Sequence, residues 1–62
     1  MNAETLLKVL TQARYKILVA IRPLASAKLG FDMVVAELVS ELHKQGIDRT
    51  TIDAIENLKF ND

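Results

Sequence analysis

No cysteine and no tryptophan occur among the 62 residues of this chain, which has one histidine, one proline, two glycines, one tyrosine and two phenylalanines. Without cysteine there is neither a disulfide framework nor a thiolate metal site, and the lone His43 makes no histidine cluster. Stability must come from apolar packing, within the chain or against a partner. No window approaches the roughly 18 uninterrupted apolar residues of a membrane span. The longest pure run, Ile17 to Ile21, is stopped by Arg22, and no basic stretch followed by an apolar run opens the chain. These absences predict a soluble, cytoplasmic protein without a membrane partner. No arrangement of nucleophile and base, and no cofactor or metal motif, is present, so the expectation is a non-enzymatic protein that uses no cofactor.

What is present is apolar content: 50% of the residues are hydrophobic. A single domain spanning residues 1–62 is expected, at a size where only about 60% of the unfolded chain's surface is buried on folding. Such an apolar share in a chain with so much unavoidable surface argues for self-association. Net charge is zero, with eight basic and eight acidic side chains unevenly placed. Through residue 28, Lys8, Arg14, Lys16, Arg22 and Lys28 stand against Glu4, a net of +4. From residue 29 onward Lys44, Arg49 and Lys59 face Asp32, Glu37, Glu41, Asp48, Asp53, Glu56 and Asp62, a net of −4. The two parts are complementary and can orient helices within one chain or between two copies.

Apolar periodicity near 3.6 predicts an all-α fold of three helices, a long first one followed by a helical hairpin. Over residues 3–24, Ala3, Leu6, Leu10, Ala13, Ile17, Ala20 and Leu24 recur at alternating spacings of three and four, the pattern of a helix-packing seam, and Ile21 shares their face. Leu7 and Leu18 widen the stripe beyond what one neighbour covers. Leu6, Leu10, Ala13, Ile17, Ile21 and Leu24 are the expected interface of a homodimeric bundle. Arg14 falls inside the apolar arc, its head free to reach water or a carboxylate. Pro23 predicts that the first helix ends or kinks at Arg22. Gly30 is placed to close a helical turn and Asp32 to cap the next helix, with Phe31 as its staple. The second helix then carries Val34, Val35, Leu38, Val39 and Leu42 inward and ends at Gly46. Asp48 caps a third helix that carries Ile52, Ile55 and Leu58 inward and frays near Phe60, with Ile47 packed back on Ile52.

The span from Glu41 to Lys59 resembles a helix-turn-helix. Gly46 stands in the turn, Ile47 follows it, and Ile52 and Ile55 anchor the second helix. That resemblance implies a DNA-binding regulator in which Arg49 touches the duplex. Polar Gln45 and bulky Leu42 depart from the motif, and Asp53 and Glu56 oppose phosphate binding. A second likeness is carried by Leu29, Gly30, Phe31 and Asp32 with Glu37 and Leu38, which resemble the helix-opening turn of acyl and peptidyl carrier proteins. In that family a serine after the aspartate holds a phosphopantetheine arm. Here Met33 follows Asp32, so no functional residue is carried over.

Lys8, Arg14, Lys16, Arg22 and Arg49 are the expected contacts for nucleic acid or an acidic partner. Glu37 and Glu41 share a face, but acid–base work needs a cleft that separates their pKa values. The resulting expectation is a small helical protein-interaction module or regulatory adaptor that self-associates and binds another protein. A small helix-turn-helix DNA-binding regulator is the alternative.

Overall fold

Asn2 starts the first helix by accepting the Thr5 N–H on its side-chain oxygen at 2.8 Å, satisfying one of the amides that a helix start leaves unpaired. In the computed structural model, which describes residues 2–20 and 25–60, α1 (Ala3–Leu18), α2 (Ala25–Lys44) and α3 (Arg49–Glu56) form a three-helix arrangement. The described residues contain no strand. The fold is all-α, as periodicity predicts. No described helix is long and apolar enough to cross a membrane.

The turn between α2 and α3 follows from local chemistry. Gly46 takes φ +75°, the left-handed conformation that glycine adopts without steric cost. Its N–H donates to the His43 carbonyl and the Ile47 N–H to the Leu42 carbonyl, both at 3.1 Å, the paired bonds of a Schellman closure. Leu42 is buried and Ile47 packs on the same core, the apolar contact that accompanies this motif. Two residues later Asp48 caps α3. Its carboxylate accepts the Thr51 N–H at 3.0 Å and the Thr51 hydroxyl at 2.8 Å. Those bonds, the hydroxyl's first, hold the Asp48 carboxyl below its ordinary value of 3.8.

A depressed folded-state pKa means that the contribution of Asp48 to stability is complete above the ordinary carboxylate range. It is lost as pH falls through the lowered folded value. Replacing Thr51 with Val should therefore raise the Asp48 pKa toward its ordinary value and shift the loss of α3 helicity to higher pH. An NMR titration of the Asp48 carboxyl carbon checks this, and an unmoved titration midpoint would contradict it.

Ile52 and Ile55 of α3 are fully buried, joined in the core by Leu10, Phe31, Val35 and Leu42. α1 packs on both other helices, as its wide stripe predicts. The molecule is nonetheless elongated, 38 × 17 × 17 Å. Its radius of gyration of 11.8 Å exceeds the value of about 10.6 Å for a compact chain of this length.

Four expectations are corrected. α1 stops at Leu18, short of Pro23, with Val19 as its C-cap. Ile21, Arg22, Pro23 and Leu24 lie outside the described residues. No boundary falls at Gly30: α2 begins at Ala25 and runs through Gly30, Phe31 and Asp32 without interruption. Asp32 is accordingly no N-cap. It is buried within the helix, and its carboxylate accepts the N–H of Phe60 at 2.7 Å. Val34, expected inside, is half exposed, because the inward arc of α2 runs through Phe31, Val35, Leu38, Val39 and Leu42 and leaves Val34 beyond its edge.

Candidate functional site

Of the residues expected to carry function, all but Ile21, Arg22 and Leu24 lie among the described residues. Of the expected dimer seam, Leu10 is buried and Leu6, Ala13 and Ile17 pack against the core of the same chain. That side of α1 faces α2 and α3, while Ile21 and Leu24 fall outside the described residues.

The basic residues separate into different environments. Arg14 is half-buried and turns to the segment that follows α3. Its Nε–H donates to the Leu58 carbonyl at 2.7 Å, and its guanidinium lies 4.7 Å from the Phe60 ring centroid. This occupation follows from its position in the apolar arc, where the segment that follows α3 folds over it. Lys28 also approaches the Phe60 ring, at 5.6 Å. Lys8 and Lys16 are exposed on α1 about 12 Å apart along the helix axis, and Arg22 lies outside the described residues.

The turn that resembles a helix-turn-helix has the expected glycine conformation and two buried isoleucine anchors. The outward side of α3 presents Arg49, Asp53 and Glu56. The Arg49 guanidinium is within 3.2 Å of the Asp53 carboxylate, an exposed pair one helical turn apart. A duplex would have to displace that partner and meet a net negative face, the opposite of the phosphate-neutralising surface on which DNA affinity rests. The carrier-like residues fare differently: Leu29 to Asp32 are interior to α2 and open no helix. Glu37, Glu41 and His43 are exposed, and the described residues contain no group of three or more histidine, cysteine, aspartate or glutamate side chains placed to hold a metal ion.

Two features were not anticipated from the sequence. One is the role of Phe60 after α3: it packs on the core beside Leu58, whose inward place was expected, and stands edge-on to Phe31 with ring centroids 5.4 Å apart and planes at 70°. With Asp32 holding its amide and Arg14 and Lys28 over its ring, Phe60 ties α1 and α2 to the segment that leaves α3. The available signal was the aromatic Phe60 in an otherwise polar ending.

The other feature is the outward side of α2. Leu29 is 55% exposed, Met33 58% and Val34 50%, and Gly30 lies among them. Its signal was spacing. Leu29, Met33, Ala36 and Ser40 recur at four, three and four, an uncharged stripe opposite the buried one.

Together these place the chain in the class of small three-helix proteins with an exposed apolar helix face. Comparison with protein-family models, with curated proteins and with solved structures finds no match, so the residues themselves carry the functional argument.

Proposed function

We propose that this chain is a small, non-catalytic helical interaction module or regulatory adaptor that self-associates and binds another protein through its remaining surface. The observation that supports this reading is uncovered apolar surface. Leu29, Met33 and Val34 on α2, with Leu18 at the end of α1 and its C-cap Val19, stand about half exposed or more. Scattered single apolar residues on a surface are ordinary, whereas several on one helix face are the mark of a contact surface.

Molecular mass measured across a dilution series by sedimentation, with helicity followed in parallel, tests the reading. A concentration-dependent dimer is expected. A monomer at every concentration would remove self-association. The competing DNA-binding reading rests on the shape of the turn alone. It predicts a salt-dependent gel shift weakened most by Arg49→Ala, and the Arg49–Asp53 pair argues against it.

A further inference from the structure

Among the described residues, α1 and α2 share no hydrogen bond with each other. Each is tied instead to the short segment that follows α3. Arg14 of α1 donates to the Leu58 carbonyl and lies over the Phe60 ring, while Asp32 of α2 accepts the Phe60 N–H. The segment itself belongs with α3 and α2. Its Leu58 and Lys59 amides bond back to the Ile55 and Glu56 carbonyls at 3.1 and 3.2 Å, and Lys28, Phe31 and Asp32, all on α2, meet Phe60. Among the described residues, Arg14 is thus the one side chain whose hydrogen bond joins α1 to another part of the fold. Burial is uneven in the same sense. α1 contributes a single buried side chain, Leu10, over 16 residues, with Leu6, Leu7, Ala13 and Ile17 half-buried. α2 and α3 contribute Phe31, Val35, Leu42, Ile52 and Ile55, and the hydrogen bonds of the Gly46 turn and the Asp48 cap that join them take no partner from α1.

We propose that Arg14 is a latch, and that α1 opens as an arm from a unit formed by α2, α3 and the segment through Phe60, which stays folded when the arm leaves. Opening costs least where buried apolar contact and tertiary hydrogen bonding are least, and the units that open together often coincide with motifs such as a helical hairpin. By both measures the boundary falls between α1 and the rest. The catch stays in place, because the Asp32 bond and the Phe31 and Lys28 contacts that position Phe60 all lie within the unit. Releasing Arg14 strips the Leu58 carbonyl of a charged donor and the Phe60 ring of its nearer cation. The latch therefore adds to the cost of opening the strength of a charge-assisted hydrogen bond and of a cation–π contact. Once free, the arm presents Leu6, Leu10, Ala13 and Ile17, the seam that the closed form covers. This opening takes place within one chain and does not depend on self-association.

Native-state amide exchange followed by NMR on the full chain tests this, under conditions where exchange rates report opening equilibria. In the parent, the Leu10 and Ala13 amides should be about tenfold or more less protected than those of Leu42 and Ile55. Asp48→Ala weakens the cap of α3 in the closed and the arm-open forms alike. It should therefore lower protection at Leu42 and Ile55 about fivefold and leave Leu10 and Ala13 as in the parent. Arg14→Met keeps an apolar, helix-favouring stem and removes the donor and the charge. It should lower protection at Leu10 and Ala13 about tenfold. Lys8→Met, which removes a charge from an exposed position on α1, should change neither set. Equal protection of the two sets in the parent, or an equal loss at both in Asp48→Ala, would show one cooperative unit and overturn the proposal. The parent's result decides this even where a variant fails to fold. Leu10 and Ala13 amides as protected in Arg14→Met as in the parent would overturn the latch.

Discussion

Ile55→Ala is expected to remove a large share of the chain's stability. Ile55 is 0% exposed and Ile52 1%, and together with Val35 they are the largest fully buried side chains. Truncating a buried isoleucine to alanine costs about 2–5 kcal/mol, the lost transfer energy plus the cavity left behind. Typical stability per residue would give a chain of this length only about 3–9 kcal/mol in total. The expected fall in Tm is about 10 °C or more, read by circular dichroism. The same truncation at exposed Leu29 should leave the monomer's melt nearly unchanged, since that side chain is already 55% exposed. Equal effects at the two positions would mean that the core is not centred on α3.

The second large effect is expected at Asp32. Its carboxylate accepts the Phe60 N–H at 2.7 Å, and Phe60 in turn meets Phe31, Arg14 and Lys28. Asp32→Ala removes a charged acceptor from a part-buried hydrogen bond and leaves the donor without it, a loss of about 1–3 kcal/mol. Asp32→Asn keeps a carbonyl oxygen in place and should lose less. Hydrogen exchange distinguishes this local account from general destabilisation. The Phe60 amide should lose protection first in Asp32→Ala, ahead of the amides of α3. A Phe60 amide as protected in Asp32→Ala as in the parent would show that the carboxylate does not hold the chain end.

These two sites differ in how visible they were beforehand. Ile52 and Ile55 are read directly from spacing behind an Asp48 cap, because the cap, the staple and the first turn lie within a few residues of one another. The same vocabulary misleads at Gly30 to Asp32, where a glycine, an aromatic residue and an aspartate in succession look like a helix boundary. What decides there is Phe60, 28 positions further along. Its N–H draws the Asp32 carboxylate into the structure, and its ring covers Phe31, so that packing favours a continuous helix over a break. Arg14 is comparable. Its place in an apolar arc was legible, but its acceptor, the Leu58 carbonyl, is 44 positions away.

The sequence by itself therefore determines the all-α class, the helical hairpin around Gly46, and the residues of α1 and α3 that turn inward, because period and capping are properties of neighbouring residues. Only the tertiary structure decides that α2 is unbroken, that Asp32 and Arg14 secure the chain end, and that the seam of α1 is covered within one chain while the outward side of α2 is left bare. Each of those outcomes depends on which distant segment arrives to cover a face, and the periodicity of one helix records only that it has faces to cover.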